Sequence, residues 1–244
     1  MPSTNMGAKI ALHRDRDERE PYVNLSEWFG PTIQGEGPNA GRLSSFVRLS
    51  GCNLSCSWCD SAYTWDWERY GHKEETHPTT VSEAAAIIAS LPGRIIVTGG
   101  EPLLQARTLA LALAASPGRA FDVETNGTRP LADTTPYWDT IICSPKIIPS
   151  AGQGALAYGV HASILDDRRS VFKFVVQDLI DLTAVDGFVE EHGLEPDSVW
   201  LMPEGVTPDA LTERTPMVAQ AAVDRGYNFT SRLHVYGWHD VRGH

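Results

Sequence analysis

The stretch GCNLSCSWCDS at residues 51–61 contains three of the four cysteines in the chain, Cys52, Cys56 and Cys59. The fourth, Cys143, lies far away in the sequence. Disulfides consume cysteines in pairs, and a structural zinc site takes four ligands. A cubane iron–sulfur cluster is normally held by four thiolates, so three thiolates leave one iron with an open coordination position. The spacing Cys-x3-Cys-x2-Cys therefore predicts a cluster whose open iron can bind the amine and carboxylate of a ligand.

The same loop has a second interpretation, a zinc site completed by a distant ligand such as Cys143 or a histidine. Trp58 stands directly before the last cysteine and favours the cluster, because an indole ring offers a platform for adenine. Packing of that indole is compatible with both interpretations. The cysteines alone leave the two open.

Composition fits a globular protein and restricts its partners. The 244 residues fit one large domain, and 42% of them are apolar, enough for a substantial core. The net charge of −11 argues against broad binding to nucleic acid or to an anionic membrane surface. No apolar run approaches the roughly 18 residues of a membrane span, and no export signal is visible. We therefore expect a cytoplasmic protein, in which clustered cysteines indicate metal or redox chemistry.

The second half of residues 1–20 is charged and weakly periodic, and we interpret residues 1–20 as a mobile N-terminal extension. No fixed-period repeat or low-complexity tract divides the remainder. The sequence therefore predicts a single domain over residues 21–244.

This remainder alternates between short apolar runs and helical patterns. Seven apolar runs end in polar corners and are each predicted to form a strand: 44–50, 93–98, 120–124, 139–143, 171–176, 198–202 and 232–236. Four segments have helical patterns: 82–91 with a Ser82 cap, 103–115, 181–193, and 207–226 interrupted by Pro216. Such alternation is typical of a parallel sheet with crossover helices.

Helical crossovers are missing between 120–124 and 139–143 and within residues 144–170. The sequence therefore predicts an α/β fold, a partial and irregular TIM-type barrel with about six to seven mostly parallel strands and few crossover helices. In such barrels the chemistry lies on the loops after the carboxyl ends of the strands. The polar corners occupy those positions, and we expect them to meet at one mouth of the sheet.

The cysteine spacing resembles that of the radical S-adenosylmethionine (SAM) superfamily. Longer segments narrow the resemblance to the 7-carboxy-7-deazaguanine synthase family: SEWFGPTIQGEGPNAGRLSSFVRLSGCNLSCSWCDSAYTWDW (26–67), VTGGEPLLQ (97–105), VETNGT (123–128), SPK (144–146), FKFVV (172–176) and WLMPEG (200–205). The similarity runs from about residue 22 to about residue 206 and is densest between residues 25 and 67. It is far more specific than the cysteine spacing alone.

The resemblance implies a carbon–nitrogen lyase that contracts the ring of 6-carboxy-5,6,7,8-tetrahydropterin. The products would be 7-carboxy-7-deazaguanine and ammonia, on the route to queuosine and other 7-deazapurines. It implies a 4Fe–4S cluster, SAM cleaved to a 5′-deoxyadenosyl radical, and Mg²⁺ on the substrate carboxylate. It also implies a homodimer and an electron donor such as flavodoxin or ferredoxin. The protein would orient the substrate and exclude water, while the cofactors carry the difficult chemistry.

Roles for individual residues follow from the resemblance at matching positions. Cys52, Cys56 and Cys59 would hold the cluster, and Ser61 replaces a threonine whose hydroxyl binds Mg²⁺ in the family. Positions implied for the substrate are Ile33, Gln34, Gly35, Glu36, Arg48 and Thr98. Positions implied for SAM are Trp58, Cys59, Asp60, Gly100, Glu101, Glu124, Asn126, Ser144, Pro145, Lys146, Met202, Pro203 and Glu204.

Elementary chemistry is compatible with these roles. The Glu101 carboxylate could accept from the ammonium group of SAM, and Glu124 and Asn126 could reach its carboxylate or ribose. The planar guanidinium of Arg48 suits a substrate carboxylate, although the residue could instead lie on the outward face of its strand. The segment IQGEG (33–37) complements a pterin edge, although alone it would be an ordinary polar turn. Asp60 is either a second oxygen donor or a helix cap.

Aromatic and histidine residues outside these motifs are assigned structural roles. The cluster loop is followed by aromatics that we predict to form a packed lid or a dimer surface, because no lysines or arginines interleave with them to bind nucleic acid: Tyr63, Trp65, Trp67 and Tyr70. His234, His239 and His244 are predicted to be structural or solvated. Two other functions remain as alternatives, a glycyl-radical activase of the same superfamily and a non-catalytic zinc-binding module.

Overall fold

The computed structural model describes residues 20–147, 159–239 and 241–244. The predicted mobile extension at residues 1–20 lies outside them, except for Glu20. Within the described residues, nine strands form one sheet: β1 Tyr22–Ile33, β2 Leu43–Leu49, β3 His77–Thr80, β4 Arg94–Gly99, β5 Phe121–Thr125, β6 Thr140–Cys143, β7 Ser170–Val176, β8 Val199–Pro203 and β9 Asn228–Phe229. The helices are α1 His72–Glu75, α2 Val81–Ser90, α3 Ala106–Ala114, α4 Ala162–Leu165, α5 Leu179–His192, α6 Pro208–Arg225 and α7 Leu233–Trp238.

The strand order is β3-β1-β2-β4-β5-β6-β7-β8-β9. From β2 through β9 every neighbouring pair in that order is parallel, whereas β1 is antiparallel to both β2 and β3. The strands β3 and β9 lie at the two edges, so this sheet does not close on itself. The predicted α/β fold with a partial, mostly parallel barrel is confirmed.

Side chains along the parallel strands alternate between two faces, as the two-residue period of a strand requires. On one face, apolar side chains such as Val97, Val123 and Phe174 pack with α2, α3, α5 and α6 in the hydrophobic core. Each large apolar side chain fully buried there contributes about 1.5–3 kcal/mol to stability. The opposite face carries polar residues, among them Arg48, Thr98, Glu124 and Lys173. The alternation therefore separates a core from a polar, concave surface.

Most helices begin and end where their capping chemistry predicts, with two corrections. Helix α2 begins at a capping box between Thr80 and Glu83, so the predicted Ser82 cap is wrong. The predicted interruption at Pro216 is wrong, because α6 is one helix from Pro208 to Arg225 with Pro216 inside it. The helices α5 and α6 end at Gly193 and Gly226 in the left-handed conformation, as predicted.

The strand predicted at residues 232–236 is wrong, because Leu233–Trp238 forms α7. The last parallel strand lies just upstream and is only two residues long, Asn228–Phe229. The alternation of polar and apolar residues in RLHVY imitates a strand. In the fold it instead places Arg232 and His234 against the polar face of the sheet.

None of the helices that the structure describes combines the length and apolar character needed to cross a membrane.

Candidate active site

A cavity of about 260 Å³ lies on the polar face, at the carboxyl ends of the parallel strands. Most predicted site residues line it: Ile33, Gln34, Gly35, Glu36, Arg48, Cys52, Cys56, Trp58, Cys59, Asp60, Ser61, Thr98, Gly100, Glu124, Asn126, Ser144, Lys146, Met202 and Glu204. Three do not line it, namely Glu101, Pro145 and Pro203. The fold thus brings residues from seven sequence segments to one site.

The loop that carries the cysteines is fixed by backbone contacts with its neighbours. The Gly51 N–H donates to the Thr64 carbonyl at 2.7 Å, and the Gly51 carbonyl accepts from the Glu101 N–H at 2.9 Å. A Cβ on Gly100 would lie 2.2 Å from the Gly51 carbonyl oxygen and 2.9 Å from the Cβ of Cys52. The glycine at this corner therefore allows close approach of the cysteine loop.

The three thiols of the loop are unpaired and partly exposed on the cavity wall. Burial raises the pKa of the Cys52 thiol to about 12, and burial also raises the pKa of Cys56 although Lys146 opposes it. Thiolates in this environment need a nearby positive charge, which a bound metal centre supplies. Three thiols on one wall therefore fit a metal cluster.

The distant cysteine does not complete a zinc site with this loop. Cys143 is fully buried in the hydrophobic core behind the sheet and is absent from the cavity wall. Among the residues that the structure describes, no three histidine, cysteine, aspartate or glutamate side chains are arranged to hold a single metal ion.

Glu101 does not contact the cavity, contrary to its predicted role at the SAM ammonium group. Its carboxylate is completely buried and accepts from the N–H of Leu103 at 2.9 Å, the hydroxyl of Thr125 at 2.8 Å and the N–H of Asn126 at 2.7 Å. Burial raises the pKa of Glu101 against these hydrogen bonds. The carboxylate therefore ties the corner after β4 to the corner after β5, and so positions Asn126 indirectly.

Glu124 lies with the residues predicted for the substrate rather than with those predicted for SAM. It accepts from the Gln34 side-chain amide at 2.9 Å and from the Thr98 hydroxyl at 2.9 Å. The Gln34 side-chain oxygen in turn accepts from the N–H of Glu36 at 3.2 Å. One hydrogen-bonded unit thus joins two strands to the loop at residues 33–37.

Glu36 is held by two cations that the sequence analysis did not identify. Its carboxylate pairs with the Lys173 ammonium and accepts from Arg232 Nε at 2.8 Å. Both cationic side chains are only 8% exposed. Although burial works against ionisation, these cations hold the pKa of Glu36 far below its usual range. Lys173 could have been identified from the sequence, because a lysine within the apolar run FKFVV needs a partner if it is buried.

Arg232 also joins this group to the cysteine loop. It pairs with the Asp60 carboxylate and donates to the Gly205 carbonyl at 2.8 Å. Desolvation opposes ionisation of Asp60, but Arg232 holds the pKa of that carboxyl below its usual value. The helix-cap interpretation of Asp60 is wrong, because Ser61 occupies the cap position of the short 3-10 turn Ala62–Thr64.

Arg48 lines the cavity, so the alternative that it lies on the outward face is wrong. Its Nε donates to Glu27 Oε1 at 2.9 Å, and Glu27 is its register partner on β1. Burial acts against the charged form, but Tyr63 and Glu27 together leave the pKa of Arg48 raised. The residue is therefore a permanent cation beside the cysteine loop.

His234, which was predicted to be structural or solvated, lines the cavity with its side chain 20% exposed. Its Nε2 lies 4.0 Å from Glu36 Oε1, and burial lowers its pKa. A Cβ on Gly35 would lie 1.9 Å from its Nδ1, so the glycine makes room for the imidazole. Among the other predicted structural residues, Tyr63, Trp65 and His244 also line the cavity.

Another part of the cavity wall is built from Trp58 and the corner after β6. The Lys146 ammonium lies 5.3 Å from the indole centroid and donates to the Ser144 hydroxyl at 2.6 Å. The indole N–H is buried and has no partner among the described residues. This wall offers an aromatic ring and one cation, which fit a nucleoside bearing an amino acid.

Comparison with known proteins agrees with this geometry. Residues 46–139 match the Radical SAM superfamily. The chain is 35% identical to 7-carboxy-7-deazaguanine synthase of Pyrobaculum aerophilum, over 91% of this chain and 98% of that protein. It is 36% identical to 7-carboxy-7-deazaguanine synthase of Halobacterium salinarum, over 91% and 92%. The crystal structure of QueE from Escherichia coli has a TM-score of 0.68 at 24% identity, covering 87% of this chain and 95% of that one, and so shares the fold.

Proposed function

Because the chain belongs to the 7-carboxy-7-deazaguanine synthase family of radical SAM enzymes, we propose that it contracts 6-carboxy-5,6,7,8-tetrahydropterin to 7-carboxy-7-deazaguanine with loss of ammonia. Membership of the superfamily implies a 4Fe–4S cluster and SAM. The observation that carries the proposal is one cavity lined by the three thiols together with carboxylates, side-chain amides and the Arg48 guanidinium. When bound, the cluster and SAM supply the adenosyl radical that removes hydrogen from the substrate.

The cofactors would be held by residues on the cysteine side of the cavity. Cys52, Cys56 and Cys59 would each ligate an iron, leaving the fourth iron for SAM. Trp58 would support the adenine with its indole ring. Ser144, Lys146, Asn126, Met202 and Glu204 would border the rest of SAM.

The pterin would be recognised by Glu36, Glu124 and the loop that contains Gln34. A pterin edge presents an amino group and a ring N–H, and both need acceptors. Lys173 and Arg232 keep Glu36 ionised, so it can only accept hydrogen bonds. Glu124 is already used by two neutral donors, Gln34 and Thr98, which orient it toward the same space.

The substrate carboxylate would bind Arg48 and Mg²⁺. The pyrimidine edge, with its amino group and ring N–H, and the carboxylate lie at opposite ends of the substrate, so a second anchor fixes the position of the reacting carbon. Ser61 supports the magnesium site, because it lines the cavity and its hydroxyl makes no helix-capping hydrogen bond. Oxygen donors suit Mg²⁺, which retains several waters and binds through few protein ligands.

Two further parts of the proposal rest on the family resemblance alone. Reduction of the cluster needs an electron from outside, and we propose a small redox protein of the flavodoxin or ferredoxin type as its source. We also propose a homodimer.

An anaerobic assay tests the proposal. The protein, reconstituted with iron and sulfide, would be incubated with SAM, a reductant, Mg²⁺ and the carboxytetrahydropterin, with product mass as the readout. We expect 7-carboxy-7-deazaguanine, and a weaker magnesium dependence in Ser61→Ala. Cleavage of SAM without pterin product would point to the activase alternative. No absorbance near roughly 400 nm after reconstitution, where thiolate-bound iron–sulfur clusters absorb, would support the zinc alternative.

A further inference from the structure

Glu27 has three hydrogen-bond donors around its carboxylate. Its Oε1 accepts from Arg48 Nε at 2.9 Å and from the Tyr63 hydroxyl at 2.7 Å. Its Oε2 accepts from Arg242 Nε at 3.2 Å. These four residues line the cavity, although they come from β1, β2, the turn after the cysteine loop, and the segment at residues 241–244. A carboxylate surrounded in this way has little freedom to rotate.

Arg242 fastens the segment at residues 241–244 across the cavity. Its two terminal nitrogens donate to Glu75 at 3.1 and 2.9 Å, and its guanidinium lies 3.7 Å from the Tyr63 ring centroid. Tyr63 therefore contacts both members of the Glu27–Arg242 ion pair. Its hydroxyl donates to Glu27, and its ring packs against the Arg242 guanidinium. One arginine links this segment to β1, to α1 and to the turn after the cysteine loop.

The contact with Glu27 determines which nitrogens of Arg48 remain available. Its Nε is used by Glu27, while among the described residues its two terminal nitrogens have no hydrogen-bond partner. Two parallel N–H groups form the fork that binds a carboxylate in a bidentate manner. Holding Nε fixes the rotation of the guanidinium and leaves this terminal fork facing the cavity.

Charge balance gives Arg242 a second effect. A lone carboxylate beside Arg48 would repel an incoming substrate carboxylate and weaken the site. Arg242 offsets the charge of Glu27, and Glu75 offsets the remaining charge of Arg242. Arg48 can therefore still attract an anion that enters the cavity.

We propose that Glu27, supported by Tyr63 and Arg242, is the positioning residue that presents the terminal fork of Arg48 to the substrate carboxylate. The segment at residues 241–244 thereby contributes to selection of a carboxylated pterin. This inference rests on the proposed function, since it requires a substrate with a carboxylate.

The test compares reconstituted holoenzyme variants with the carboxylated substrate and with 5,6,7,8-tetrahydropterin, which lacks the carboxylate. Glu27→Ala is expected to raise KM for the carboxylated substrate on the order of tenfold, the effect of one charge-assisted hydrogen bond, with kcat within about twofold. Glu27→Gln keeps one acceptor and should restore part of the loss. Arg242→Ala should raise the same KM severalfold.

Three controls separate positioning from a general structural effect. Affinity for tetrahydropterin, measured by anaerobic calorimetry in the presence of SAM, should be unchanged in Glu27→Ala. The matched variant Arg69→Ala removes a 64% exposed arginine that pairs with Asp66, and should leave KM unchanged. In Arg48→Gln, adding Glu27→Ala should have no further effect on KM, because the two residues act as one unit.

Several results would overturn the inference. These are an unchanged KM in Glu27→Ala, an equal loss of affinity for tetrahydropterin, or additive effects in the double variant. If Glu27→Ala does not retain its cluster, Tyr63→Phe is the deciding variant, because it removes only one hydrogen-bond donor to Glu27. A wild-type KM in Tyr63→Phe would then refute the inference. Wild-type protein that makes no product and binds no pterin would instead remove the proposed function itself.

Discussion

Replacing Glu36 by glutamine is expected to destabilise the protein by several kcal/mol. The substitution keeps the shape of the side chain and removes the charge between Lys173 and Arg232. Arg232 keeps its contacts with Asp60 and the Gly205 carbonyl. The loss of stability therefore comes mainly from the 8% exposed Lys173 ammonium, which loses its ion pair. Removing one partner of a buried ion pair typically costs about 3–5 kcal/mol.

Deprotonation of Lys173 sets a ceiling on that cost. A lysine with an ordinary pKa near 10.4 can become neutral at pH 7 for about 4.6 kcal/mol, since each pKa unit is about 1.36 kcal/mol. A loss of ~3–5 kcal/mol corresponds to a fall in Tm of about 6–20 °C for a chain of this size. The assay is calorimetry of anaerobically prepared protein at one fixed scan rate.

The pH dependence gives the sign of the effect. In the wild type, burial opposes the charged form but Glu36 raises the pKa of Lys173, so its contribution is present below the unfolded pKa and is lost as pH rises through the folded value. In Glu36→Gln the folded pKa of Lys173 falls below the unfolded value, so stability rises with pH across that interval. The difference in Tm between the wild type and Glu36→Gln should therefore become smaller from pH 7 to pH 10.

A second variant checks the cause. Glu36→Gln combined with Lys173→Met removes both charges and should recover most of the lost stability, because no buried ammonium remains unpaired. A Tm for Glu36→Gln within about 2 °C of wild type, or a double variant no more stable than the single one, would refute the reasoning.

Three further predictions follow from single contacts. Gly100→Ala should abolish incorporation of the cluster, measured as bound iron, because its Cβ would meet the backbone of the cysteine loop, whereas Gly187→Ala, with open space around its Cβ, should assemble normally. Trp65→Phe removes an N–H donor 3.3 Å from the Sγ of Cys59, a proposed cluster ligand, and should make the midpoint potential of the reconstituted cluster more negative by ~40 mV, about 1 kcal/mol for one electron. Trp67→Phe should leave it unchanged in an EPR-monitored redox titration. Burial lowers the pKa of His234 below 6.5, so protonation of the unfolded state costs stability as pH falls below that value, and His234→Asn should flatten the fall in Tm between pH 7 and pH 5.

Local patterns were sufficient to predict the parallel strands β2 and β4 to β8 and the polar edge at which they end, but not β1, β3 or β9. Six of the seven predicted strands form, because each is a short apolar run that ends in a polar corner, and parallel strands place those corners at one edge. The three cysteines meet the other predicted site residues for the same reason. The strand predicted at residues 232–236 was wrong, because a short helix with one buried face can produce the same alternation of polar and apolar residues as a strand.

Contacts between distant segments could not be predicted from local sequence patterns. Glu36 meets Lys173 and Arg232 from 137 and 196 residues away, and their pairing depends on how α7 crosses the sheet. Glu101 has an ordinary position for a ligand-binding carboxylate, but the corners after β4 and β5 close over it.

The sequence by itself identified the three thiols and the glycine corner from residue type and short spacing, and the family resemblance added the loop at residues 33–37, which alone would be an ordinary polar turn. Only the tertiary structure decided which charges neutralise one another around that chemistry. The physical reason is that electrostatic pairing in a buried cavity depends on distances of about 3 Å between groups far apart in the chain, and no local period encodes those distances.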